Sequence, residues 1–244
     1  MARVAAYQAL LSAAESGGII GHIEQRVRWC ESEGVTLLCC PEAVISGLAD
    51  YSNEATKYAF RASEGELVNA LAPLASDTVT SIIGFTELGP NNELFNTAAV
   101  FHQGRVAGIC RKLHPAIRKS VYSAGSATPV FPVGYFVFGI VICNDSNYCE
   151  PARRIAEQGA SIVFIPTNNG LPTWSADADL IRQARAVDKM RAIENGIWVV
   201  RADVVGEFGE LRSYGSSGVV DPRGNVLQEG RIGSEDLLVV EIEP

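Results

Sequence analysis

The chain has 244 residues, 47% of them hydrophobic and 20% charged, with a formal net charge of −8. That length and composition supply the core of one large α/β domain or two small ones and argue against disorder. Scattered Lys and Arg in an acidic chain argue against a nucleic-acid groove or an anionic membrane surface as partner. No apolar run reaches the roughly 18–20 residues that span a bilayer, and the opening MARVAAYQALLSAAESGG carries one basic residue and only a weak apolar stretch, so no signal peptide is read.

The predicted elements alternate apolar strands with amphipathic helices, the pattern of helices layered on sheets. Residues 3–8 read as a first strand. Ile20, Ile23, Val27 and Cys30 recur at helical spacing across 19–33, with Gly34 as the stop. VTLLCC follows as a buried strand whose adjacent Cys39 and Cys40 point to opposite faces. Leu67, Leu71 and Leu74 mark a second helix that Pro73 interrupts, and TSIIGFTE is the next strand. TAAVF-HQGR-VAGIC and PVF-PVG-YFVFGIVIC read as hairpins. EPARRIAEQG is a helix with Pro151 in its first turn, SIVFIP a strand, 177–195 a long helix, and IWVVRADV another strand. Strands near 215–221 and 236–242 end the chain, the first followed by the turn DPRGN. With no repeat or linker in view, one domain over 1–244 is expected. The six cysteines (30, 39, 40, 110, 143 and 149) lack the C-x-x-C spacing of metal sites and are expected as reduced thiols in a cytoplasmic protein.

Four apolar stretches end in chemistry. VTLLCCPE ends in Glu42, VAGICRK in Lys112, YFVFGIVIC in Cys143, and SIVFIPTNN in Asn168 and Asn169. In open α/β sheets ligands bind beyond the carboxyl ends of strands, so a carboxylate, an ammonium and a thiol there can share a cleft. A thiol near its ordinary pKa of about 8.5 is mostly protonated at neutral pH. A neighbouring carboxylate can take that proton and a lysine can hold the developing negative charge. A helix starting near Glu150-Pro151 would favour thiolate if it begins close enough to Cys143. Each residue also has a structural reading: a core thiol, a turn cap, a solvated lysine. The other five cysteines read as core.

CCPEAVISG, CRKLHP and GIVICNDSNYCEPARRIAEQGASIVFIPTN resemble the three signature blocks of the nitrilase superfamily, the thiol-dependent carbon–nitrogen hydrolases. The opening strand, MRAIENGIWVVRADVVG and GSSGVVDPRGNVLQEG extend the resemblance over essentially the whole chain. It implies a four-layer α-β-β-α sandwich and a homodimer or larger even assembly, with no metal or organic cofactor. It makes Cys143 the nucleophile, Glu42 the general base, and Lys112, with the Asn144 backbone N–H, the oxyanion site. The substrate it implies is a small amide, carbamoyl compound or nitrile.

The sequence departs from the family at two points. Many amidase-like members carry a second glutamate between the lysine and cysteine blocks, yet residues 113–142 contain no Asp or Glu. The loop HPAIRKSVYSAG offers Arg118 and Lys119 instead, either as solvated charges or as a site for a substrate carboxylate. Asn144 follows the nucleophile where the nitrilase branch has Trp-Glu, which favours amides or carbamoyl compounds over nitriles. Asn168 and Asn169 either face substrate or satisfy their own loop through Asx turns. Tyr51 and Trp174 are candidate pocket walls, Arg201 and Asp203 a candidate ion pair, and His114 a rival base for Cys143. Two other functions remain open: acyl transfer from the same thioester to an amine, and a non-catalytic module that has kept the fold.

Overall fold

The computed structural model describes residues 2–12, 18–52, 54–62, 65–116, 119–134 and 136–243. In chain order the strands and helices begin with β1 (Ala2–Leu10), α1 (Ile19–Ser32), β2 (Leu37–Cys39), α2 (Glu66–Leu71), β3 (Thr80–Leu88), β4 (Leu94–His102) and β5 (Arg105–Arg111). β6 (Tyr122–Ser123), β7 (Val130–Val133), β8 (Phe136–Ile140), α3 (Cys149–Glu157), β9 (Ile162–Pro166), β10 (Leu171–Pro172) and α4 (Asp179–Asn195) follow. The last are β11 (Trp198–Ala202), β12 (Val204–Phe208), β13 (Leu211–Tyr214), β14 (Gly218–Val220), β15 (Val226–Glu229) and β16 (Asp236–Ile242).

Two sheets stack face to face. One runs β10-β13-β12-β1-β2-β3-β4-β5, with β16 on β1 and β6 on β4; the other runs β15-β14-β11-β9-β8-β7. Because side chains alternate along a strand, each sheet buries one face against the other and one beneath helices. Val4, Ala6, Leu37 and Cys39 meet Phe138, Phe164 and Val200 in the inner layer. Ala5, Tyr7, Leu38 and Cys40 face Ile23, Val27 and Cys30 of α1 and Leu67 of α2. Val163, Ile165 and Val199 face Ile155 of α3 and Ala192 of α4. The result is the expected four-layer α-β-β-α sandwich, with Cys39 and Cys40 in separate layers.

Three expectations change. IWVVRADV is not one strand: β11 belongs to one sheet and β12 to the other, and the chain crosses between them at Asp203. A fully buried carboxylate at such a crossing must satisfy backbone groups that neither ladder takes up. Asp203 accepts from the N–H groups of Asn169, Val204 and Ser216, the Asn169 amide and the Ser216 hydroxyl, and so does not pair with Arg201. The β12–β13 hairpin was not read from the sequence. Cys149, expected in the core, is exposed at the start of α3.

Candidate active site

Glu42, Lys112, Cys143, Asn168 and Asn169 stand just beyond the carboxyl ends of β2, β5, β8 and β9, two strands from each sheet. The two sheets therefore deliver them to one edge of the sandwich. All five line a pocket with about 90 Å³ of water-accessible space, together with Leu48, Asp50, Tyr51, Asn96 and Tyr122. A larger groove of about 620 Å³ runs past Glu87, Gly108 and Arg111 at the β5 edge, with no cysteine in its lining.

Glu42 is buried and held on every side. Its Oε1 accepts from Lys112 Nζ at 2.5 Å and from Asn96 Nδ2 at 2.7 Å, and its Oε2 accepts the Asn168 N–H at 2.8 Å. Asn168 Nδ2 donates to the Glu42 carbonyl, while its Oδ1 takes the Gly170 N–H. The Asn168 side chain is thus an Asx turn that clamps Glu42, with both ends of its amide occupied by the protein. Gly84 on β3 makes room for this segment: a Cβ there would lie 2.4 Å from both the Pro41 carbonyl oxygen and the Ala43 nitrogen. Gly84→Ala must therefore push the Glu42 turn outward. The expected result is a loss of about 100-fold in kcat/KM, the scale of an ångström-sized displacement of a catalytic group. Undiminished ammonia release would show that this close approach does not set the position of Glu42.

Lys112 is almost fully buried. Burial works against its charge, but Glu42, Cys143 and Asp145 outweigh it and hold the ammonium above its ordinary range. β5 positions it, with the Lys112 N–H donating to the Asn96 carbonyl at 2.8 Å. The next two residues are tied to the cysteine turn by Asp145, whose carboxylate accepts the Leu113 and His114 N–H groups at 3.0 and 2.6 Å.

Cys143 opens a 3-10 turn, Cys143–Asn147, with φ of 46°, a left-handed backbone that non-glycine residues seldom adopt outside strained functional turns. Its carbonyl accepts the Ser146 hydroxyl at 2.7 Å, and Arg201 Nη2 donates to that hydroxyl at 3.1 Å. Arg201 also donates to Thr167 Oγ1 at 2.8 Å and is anchored on Asp188, so one buried guanidinium braces the turns carrying Cys143 and Asn168. A helix beginning close to Cys143 would favour thiolate, but α3 starts only at Cys149, beyond the 3-10 turn, and that condition is not met. Burial, with Glu42 adding to it, pushes the Cys143 thiol up to about 12 against the opposing pull of Lys112 and Arg201. The direction of that shift favours the neutral thiol at Cys143.

The remaining candidates separate. Tyr51 lines the pocket, and so does Asn169, whose amide nitrogen is held by Asp203. Asn144 turns its amide to the His114 carbonyl at 3.0 Å. Trp174 is 87% exposed and outside the pocket lining, so it is no wall of it. His114 stacks on Tyr148 at 3.9 Å and does not line the pocket that holds Glu42 and Cys143. Lys119 is exposed and outside the lining, and Arg118 lies outside the described residues. No group of three His, Cys, Asp or Glu among the described residues is placed to hold a metal ion. Asn96, Asp145 and Ser146 were not singled out from the sequence. Asn96 had a signal, as a lone amide in the apolar run LFNTAAVF.

The four-layer sandwich thus gathers a carboxylate, an ammonium and a thiol at one edge. The chain belongs to the carbon-nitrogen hydrolase family, which it matches over residues 3–244, and so to the nitrilase superfamily. It is 29% identical to a nitrilase of Pyrococcus abyssi over 223 residues, 90% of this chain and 81% of that protein. It is 26% identical to the omega-amidase NIT2 of Mus musculus over 228 residues, 87% of this chain and 78% of that protein. The crystal structure of an amidase from Nesterenkonia sp. superposes with a TM-score of 0.83 at 24% identity, covering 99% of this chain and 90% of that one. No helix among the described residues is long and apolar enough to cross a membrane.

Proposed function

We propose that the protein hydrolyses the C–N bond of a small linear amide or N-carbamoyl compound through a thioester on Cys143. The observation that carries this reading is the buried Glu42–Lys112 contact of 2.5 Å in the wall of the pocket that also holds Cys143. Amidases and omega-amidases among its relatives support the substrate class.

Cys143 Sγ attacks the carbonyl carbon as its proton passes to Glu42. The new oxyanion is held by Lys112 Nζ and the Asn144 N–H. The latter precedes the first hydrogen bond of its turn, Asp145 N–H to the Ile142 carbonyl, and so has no acceptor within the turn. Each such donor contributes about 3–4 kcal/mol to the transition state. Glu42 returns the proton to the nitrogen as the C–N bond breaks, and ammonia or an amine leaves. Water, deprotonated by Glu42, then attacks the thioester and releases the acid and the Cys143 thiol. Lys112 is held charged throughout, so it serves as electrostatic support and not as the base. A cytoplasmic homodimer completes the reading; exposed Met190 and Ile193 on α4 offer apolar surface for pairing.

The test is ammonia release from a panel of short aliphatic amides, ω-amides, N-carbamoyl amino acids and nitriles. Turnover of amides or carbamoyl compounds, with nitriles inert, is the expected result. Turnover of nitriles alone would overturn the assignment.

A further inference from the structure

The pocket contains a second carboxylate that the triad does not use. Asp50 sits in the 3-10 turn Ala49–Tyr51 and lines the pocket beside Tyr51 and Tyr122. Its Oδ1 accepts the Val121 N–H at 2.8 Å and its Oδ2 accepts the Ser120 hydroxyl at 3.1 Å. An ionised carboxylate accepts about four hydrogen bonds, so capacity remains on both oxygens. Tying down the loop does not require this charge, because Tyr122 already binds the Ala49 N–H at 2.7 Å and Thr86 Oγ1 at 2.8 Å.

A second, independent acceptor lies in the same pocket. Asn96 is 2% exposed, and its Nδ2 is committed to Glu42. Its Oδ1 is buried with no partner among the described residues. A buried acceptor left unpaired is costly, and Asn96 lines the pocket beside Glu42, where a ligand's donor would relieve that cost. Among the described lining residues the one cation is Lys112, and Glu42 holds it.

We propose that the substrate is a short linear amide with an ammonium group at its far end, the ammonium meeting Asp50 and the scissile amide N–H meeting Asn96 Oδ1. The proposal rests on the amide-hydrolase reading above and names its substrate class. It reverses the expectation of a carboxylate-bearing substrate held by Arg118 or Lys119: a substrate carboxylate would face Asp50 as a like charge.

The experiment compares three amides with matched spacers, γ-aminobutyramide, valeramide and glutaramate, by initial rates of ammonia release. The wild type is expected to rank them ammonium, neutral, carboxylate in falling kcat/KM. Asp50→Asn keeps an acceptor for Val121 and can donate to the Ser120 hydroxyl, so the loop tie survives while the charge goes. It is expected to lower kcat/KM for γ-aminobutyramide about tenfold more than for valeramide, mainly through KM, the scale of one hydrogen bond to a charged group. Ser120→Ala cuts the tie but leaves the charge, and the wild-type ranking is expected to persist. A wild-type preference for glutaramate, an equal fall on both other amides in Asp50→Asn, or a lost ranking in Ser120→Ala would each overturn the subsite. Valeramide turnover in those cases would leave the hydrolase reading standing; silence on all three amides would count against both.

Discussion

Cys143→Ala is expected to lower kcat for an amide substrate by at least about 10⁴-fold, the scale on which removal of a covalent nucleophile acts in a coupled catalytic set. The fold should survive, because Cys143 lies at the rim of the inner core and Ser146 and Arg201 hold its turn through backbone and hydroxyl contacts. An unchanged melting temperature beside the lost activity separates chemistry from folding. Residual turnover within tenfold of wild type would remove Cys143 from the mechanism. A companion result concerns pH. The thiol is pushed up to about 12, first by burial and then by Glu42, and only the thiolate alkylates. The rate of iodoacetamide labelling of Cys143 should therefore climb about tenfold per pH unit from pH 7 to 9 without levelling. A plateau near neutrality would mean a preformed thiolate, and proton transfer to Glu42 would then precede substrate binding. Deprotonation during attack is instead what a thiol beside a carboxylate requires, since a resting thiolate would add a second negative charge next to Glu42 with Lys112 as their shared cation.

Asp188→Ala is expected to produce the largest loss of stability, about 3–5 kcal/mol, the usual consequence of removing one partner from a buried ion pair. Asp188 is fully buried, accepts from Arg201 at 2.5 Å and from Arg185 at 2.9 Å, and has no solvent to replace either contact. For a chain of this size the loss corresponds to a fall in melting temperature of about 10 °C. Arg201 would also lose its anchor, and with it the brace on Ser146 and Thr167, so activity should fall further than stability at permissive temperature explains. The double variant Asp188→Leu/Arg201→Met leaves no unpaired charge between these two positions and should lose less stability than Asp188→Ala alone. A loss below about 1 kcal/mol for Asp188→Ala would mean that water enters the network and the pair is not dry.

Much of the fold was legible because each layer writes its own period. The spacing of Ile23, Val27 and Cys30 announced α1, and the adjacent Cys39 and Cys40 announced a strand buried on both faces, as the inner and outer layers show. The break in IWVVRADV was not legible. Apolar residues continue on both sides of Asp203, and local pattern does not record that the chain leaves one sheet for the other. The Arg201–Asp203 pairing failed for the same reason: their shared face required a continuous strand, and Arg201 instead reaches across to Asp188 on α4.

Residue order alone determined the α/β layering and which acid, amine and thiol stand at strand ends, because strand length and hydrophobic period are local properties of the chain; the four-layer sandwich was implied by the family resemblance. Only the tertiary structure decided what each group meets. Asn168 clamps Glu42, Asn96 has an acceptor with no partner among the described residues, Asp50 enters the pocket from a turn the motifs do not cover, and Trp174 stays in solvent. Hydrogen-bond partners and desolvation depend on residues far apart in the chain, 126 positions for Glu42 and Asn168 and 228 for Tyr7 and Glu235, and no local period encodes them.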